Sequence, residues 1–380
     1  MKPYIYNITF FFFFIAFNLT SQTKENIIKK SFKVDENTIL NLDLDNVAIV
    51  FEESFDGEIH FDYSIIFGRY SKRKREIIIN QSKTKVSKKN NLVSLKVGNS
   101  EFLGINLTYM LDFNSKDYLT SFKDYVKYEK ARKHIYKSKD SVLKELASSE
   151  GNNLTNFMKR NKENYKDYSS IKDKKVMIKK FVIKVPKNLK IRIKAIKTDI
   201  TFNYDLVKPF TINSFKGVFR FKNIIGKENR IISSNGIFQA EKVTNSRLEF
   251  LDMSKVLIGE ISNTDLVTET SKLETGEIGK NVSINDFNSK LYLYNFSQNF
   301  SKFNLTGDYS ELNFYKLEDN NFSMDVFGHN TVLNMNDTKT TFGLSKDKKL
   351  DKILEKKAKE SKTSSGTIAI ELRNGILNIK

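Results

Sequence analysis

Asp252, Glu269, Asp286 and Asp308 recur at intervals of roughly 17–22 residues. Carboxylates set side by side separate their pKa values into an acid and a base, the pairing that glycoside hydrolysis uses. A fold that stacks chain segments of that length would gather the four into one stripe. The competing reading is a row of solvated turn residues, and it is the preferred one. Cys is 0, which removes disulfides, thiolate metal sites and cysteine nucleophiles. The three histidines, His60, His134 and His329, stand in unrelated segments and read as surface or turn residues. No GxSxG, HExxH, Gly-rich phosphate loop or EF-hand loop is present. The expectation is a chain without a catalytic residue beyond that alternative stripe, without a metal site and without a cofactor.

The other chemistry-bearing feature is positive charge. The formal net charge is +19 and the pI about 9.5. Lys72, Arg73, Lys74 and Arg75 share one turn, and Lys174 and Lys175 lead into a later strand region. Such runs suit contact with a polyanion such as lipopolysaccharide. The alternative is a solvated basic surface in a chain rich in Lys, Asn, Ile, Phe and Tyr. The runs lack the aromatic interleaving of a nucleic-acid module, so nucleic acid is not an expected partner. Glycans, envelope polyanions or another surface protein are.

The elements that would position these residues follow from periodicity. The first residues, MKPYIYNITFFFFFIAFNLTSQ, have Lys2, an apolar run and a small-polar junction. They read as a signal peptide over 1–21, which implies export to the periplasm, the outer surface or the medium. No later stretch is apolar enough to span a membrane. Strand alternation fills 22–113, where Leu40, Leu42 and Leu44 alternate with polar residues. Segment 114–175 has helical spacing at Tyr118, Phe122 and Tyr125, and reads as a basic helical insertion, partly mobile.

Strands resume over 176–342, and they repeat. Leu40 and Leu42 align with Ile191 and Ile193; Ile49 and Phe51 align with Ile200 and Phe202. Ile200, Val218, Ile237, Val256, Leu273, Leu291, Leu312 and Val332 form one column at steps of roughly 17–21 residues. A second column is Leu206, Ile224, Val243, Ile261, Ile278, Phe296 and Leu317. A third is Ile212, Ile231, Phe250, Leu266, Ile284, Leu305 and Met324. Three apolar columns with polar corners are what stacked coils require, because each coil hides its apolar face only against its neighbours. The fold class read from this is all-β: a single-chain, β-helix-like β-solenoid with a small helical insertion. An antiparallel sandwich is the alternative. In it Asn235-Gly236 would be a hairpin turn; in the solenoid it is a corner where Gly236 supplies positive φ. Residues 343–365 read as a basic helical or loop insertion with Ser345 as N-cap, and 366–380 as a final β coil that closes the stack.

VPKNLKIRIKAIKTDITF at 185–202, with the later NGI and SKL units, resembles the bacterial adhesin family of β-solenoid surface and periplasmic proteins, related to the autotransporter adhesin head domain. The Ser-Gln junction is similar to those of exported Bacteroidetes proteins. The resemblance covers about 30–100 and 176–340, plus the last dozen residues. It implies an exported, non-enzymatic binding or scaffold protein. The rival readings are a carbohydrate-active enzyme using the carboxylate stripe and a basic envelope-associated polyanion binder.

Overall fold

The computed structural model describes residues 22–68, 70–82, 84–98, 176–317, 321–335, 338–342, 350–359 and 366–380. The expected signal peptide over 1–21, the expected helical insertion over 114–175, and Lys174 and Lys175 within it lie outside them. The described chain is all-β with one helix. The strands used below are β1 (Gln22–Lys33), β2 (Ile39–Asp45), β3 (Ala48–Glu53), β4 (Glu58–Gly68), β5 (Thr84–Lys89), β6 (Leu92–Val97), β7 (Val176–Val185), β8 (Lys190–Ile196), β9 (Asp199–Phe202), β10 (Phe210–Ile224), β11 (Asn229–Leu251) and β12 (Lys255–Glu269). They continue as β13 (Lys272–Ile278), β14 (Val282–Phe287), β15 (Lys290–Leu293), β16 (Lys302–Asp308), β17 (Glu311–Phe314), β18 (Phe322–His329), β19 (Thr331–Met335), β20 (Thr338–Phe342), β21 (Asp351–Lys356), β22 (Gly366–Arg373) and β23 (Ile376–Ile379).

Parallel pairing follows two tracks. One runs β6, β2, β8, β10, β11 and continues β11, β12, β14, β16, β22, β18. The other runs β7, β3, β9, β10, β11, β12, β13, β15, β17, β23, β19. The sheet is open, and antiparallel strands flank both tracks: β5 on β6, β4 on β7 with β1 beyond it on β4, β21 on β18, and β20 on β19.

The repeat alignment is spatial. Leu40 pairs with Ile191 and Leu42 with Ile193, while Ile49 pairs with Ile200 and Phe51 with Phe202. Leu206, Ile224, Val243, Ile261, Ile278 and Phe296 pair in sequence and are all buried. Aromatic rings stack up this core, with Phe51 on Phe202 at 4.2 Å and Phe202 on Phe221 at 5.4 Å.

Two columns need correction. The buried rung is Phe219, Phe238 and Leu333, not Val218, Ile237 and Val332, and Leu377 lies between Leu312 and Leu333. Likewise Leu248 pairs with Leu266 and Val326 with Ile370, where Phe250 and Met324 were expected. The cause of the first slip is the corner. Asn46, Lys197, Lys216 and Asn235 follow aligned strand ends, and all have positive φ. Asp252, Thr270, Asn288, Tyr309, Asn374 and Asn330 do the same further along. A left-handed residue breaks the two-residue alternation, so the inward side chain after the corner shifts by one. Gly236 pairs in parallel with Gly217 and is no hairpin turn. Its neighbour Asn235 carries the positive φ of 57°. Gly236 is required for space, since a Cβ there would lie 2.4 Å from the Gly217 carbonyl oxygen.

Three elements differ from the sequence reading. Lys72–Gln81 is helix α1, where a basic turn and a strand were expected. Ser71 caps it by accepting from the Lys74 amide, and Ile78 is buried beneath it. The segment 351–356 is strand β21, not a helix, because β18 offers it unpaired backbone groups. β22 does not end the stack; it sits between β16 and β18.

Candidate functional site

The carboxylate stripe does not assemble. Glu269, Phe287 and Asp308 share one row, whereas Asp286 pairs with Thr268 in the next. Strand alternation therefore turns Asp286 inward, where it is buried. Thr268 Oγ1 and Ser310 Oγ donate to its carboxylate, as does the Ser289 amide. Asp252 is an exposed corner residue with φ of 52°, Glu269 is exposed, and Asp308 accepts from Asn374 Nδ2 at 3.0 Å.

The basic run is split by the helix. Lys72, Arg73 and Lys74 are exposed on its first turn, where the helix dipole disfavours cations. Arg75 turns toward β1 instead: Nη1 donates to Thr23 Oγ1 at 2.9 Å, and Nε lies 3.8 Å from Glu25.

The strand ends before the corners carry exposed apolar side chains. Ile196 pairs with Phe215 in one run; Leu251, Glu269 and Phe287 share one row in the other. Tyr309 is 59% exposed and meets Phe287 edge-on at 6.0 Å. Lys216 Nζ stands 5.2 Å from the Phe215 ring. Phe287 and Tyr309, side chains that can stack on a flat apolar face, thus stand together beside the second row. By contrast Tyr292, Tyr294 and Tyr315, on the outward rows of the second track, are buried with Leu257 and Glu274. Tyr294 donates to Glu274 at 3.3 Å, and Lys272 pairs with the same carboxylate at 2.9 Å. Burial first, then the Glu311, Tyr315 and Glu274 charges, push the Tyr292 phenol up to about 12.

A cleft of about 660 Å³ opens where β1, β4 and β7 meet the turn after β3. Its walls carry Lys29, Lys30, Lys180 and Lys184 against Glu52, Glu53 and Asp62. Phe55 stands at its edge, 89% exposed. Inside it runs a hydrogen-bonded chain absent from the sequence reading. Ser31 Oγ lies 2.7 Å from His60 Nδ1, and His60 Nε2 lies 2.8 Å from Asp56. Asp56 also accepts from Ser54 Oγ at 2.7 Å and from the Glu58 amide at 3.0 Å. The Ser54 bond, then the Glu58 amide, hold the Asp56 carboxyl down at about 2 against an opposing desolvation, with smaller lowering parts from His60. The signal that would have found this group is the spacing Asp56-Gly57-Glu58-Ile59-His60, since Glu58 and His60 share a strand face. Ser31 joins from β1 through the antiparallel pairing Ser31 to His60, which no local spacing reveals.

No family model matches the chain, and no curated protein matches it. Among solved structures, a "putative cell adhesion protein" from Clostridium sporogenes is similar at 10% identity, with a TM-score of 0.18. That match covers 95% of this chain and 99% of the other. At that score it carries no argument about site or activity. No helix among the described residues is long and apolar enough to cross a membrane.

Proposed function

We propose that the protein is an exported β-solenoid that works as a non-enzymatic, adhesin-like binding or scaffold protein of the cell envelope. The observation that supports this most is register: residues one repeat apart in sequence are hydrogen-bonded neighbours in space. Asn263 Nδ2 reaches Asn245 Oδ1 at 3.4 Å, and Asn281 Nδ2 reaches Asn263 Oδ1 at 3.2 Å. A stack of this kind repeats weak contacts at the strand spacing of about 4.8 Å, so they add along a face. The row of Leu251 and Phe287 with the adjoining Tyr309 is the surface we assign to glycan contact, through stacking on apolar sugar faces. The test is a screen of purified chain against envelope polysaccharides. Phe287→Ala with Tyr309→Ala should weaken binding at least tenfold. Turnover of a bound glycan, or binding indifferent to both changes, contradicts the reading.

A second reading rests on Lys72, Arg73 and Lys74. Three exposed cations at the positive end of a helix are unfavourable for stability, which suits a role outside folding. They would contact lipopolysaccharide phosphates. Binding should then fall steeply between low and physiological salt, and fall again on replacing all three by Gln. Salt-insensitive binding disposes of this reading.

A further inference from the structure

Asp56, Glu58 and His60 place one ligand atom each within 4.8 Å of one another. We propose that they form a site for a divalent transition cation of the zinc type, with His60 Nε2 and the Asp56 and Glu58 carboxylates as ligands. One or more positions then face the cleft, open to water or to an acidic group of a partner.

The ligand types select the metal. An imidazole with two carboxylates suits zinc and its neighbours, whereas calcium and magnesium take oxygen alone. The Asp56–His60 pair needs little change, while the Glu58 carboxylate, within 4.8 Å of both, must close in. Two ligands of a tetrahedral zinc lie about 3.3 Å apart. His60 Nε2 is 2.8 and 3.0 Å from the two Asp56 oxygens, so the pair must open by only a few tenths of an ångström.

The surrounding groups orient the ligands. Ser54 Oγ and the Glu58 amide fix the Asp56 carboxylate. Ser31 Oγ sits 2.7 Å from His60 Nδ1 and holds the ring. A hydroxyl can donate or accept. Without metal, Nε2–H donates to Asp56 and Ser31 donates to Nδ1. With metal on Nε2, the ring proton moves to Nδ1 by exchange with water, and Nδ1–H donates to Ser31. One partner thus supports both states, the outer-shell contact that metal-binding histidines commonly have. The nearby lysines oppose a cation, but Glu52 lies 3.7 Å from Lys184, and Glu53 and Asp62 line the same cleft.

Titration of the full chain with zinc chloride by calorimetry tests the site. One equivalent should bind, and His60→Ala should abolish it. His134→Ala and His329→Ala should leave it intact. Ser31→Ala should weaken it roughly tenfold or more, as loss of an outer-shell partner does. Asp56→Asn is the second ligand variant if His60→Ala does not fold, and it too should lose the site. Absence of stoichiometric zinc binding, or zinc binding equally tight in the folded ligand variants, overturns the proposal.

Discussion

At Gly217 a Cβ would sit 2.1 Å from the Thr198 carbonyl oxygen, and at Gly236 it would meet Gly217. The clashing atoms are backbone, so neither neighbour can yield. Gly236→Ala should cost about 2 kcal/mol or more, in the range of core overpacking, read from urea unfolding. The corners offer the opposite case. Thr270 is β-branched yet holds φ at 48°. Thr270→Asn should raise stability by about 1 kcal/mol, because Asn tolerates the left-handed region better. Lys179 pairs with the buried Ile65, and burial pulls its pKa down to about 8. Between pH 8 and 10.5 an unfolded lysine binds a proton that the folded one has shed. Stability therefore rises with pH through that window and is flat below it. Lys179→Met should remove this slope and stabilise the protein at pH 7 by about 2 kcal/mol. The corners were half legible in sequence. Polar or Gly residues marked them, but which residue turns left-handed depends on the neighbouring strand, so the column slipped at Val218 and Ile237.

At the scale of elements, β22 departs from chain order by inserting between β16 and β18. Ile370 pairs with Leu305 on one side and Val326 on the other, and is fully buried. Ile370→Ala should cost about 3 kcal/mol, the usual price of emptying such a site. Removing residues 366–380 should expose amides in both 302–314 and 322–335 to hydrogen exchange. A loss of protection confined to one of them would contradict the insertion. Periodicity placed these strands in chain order, since nothing in a repeat marks a strand that inserts late. Helix α1 escaped for another reason. Ile77, Ile78 and Ile79 favour a strand locally, and the Ser71 cap with the buried Ile78 overrides that preference. The end strands carry their own protection. β5 is TKVSKK, and charged edges resist pairing with another chain. Replacing Lys85 and Lys89 with Val should promote aggregation, visible by light scattering.

Across the whole described molecule, two parallel tracks run in register, with β22 second from the end of the first. The path Arg247, Asp265, Ser283, Asn304, Ala369, Asp325 is one unbroken row of strand partners. The chain has no native cysteine, so spin labels attach only where a cysteine is introduced. Labels at 247 and 369 span four strand steps and labels at 247 and 325 span five, about 19 and 24 Å between backbones. Pulsed electron–electron resonance on the two pairs is the most direct test. The 247–325 distance should exceed the 247–369 distance by about one step of 4.8 Å. The reverse order, or separations that do not grow with the number of steps, would contradict it.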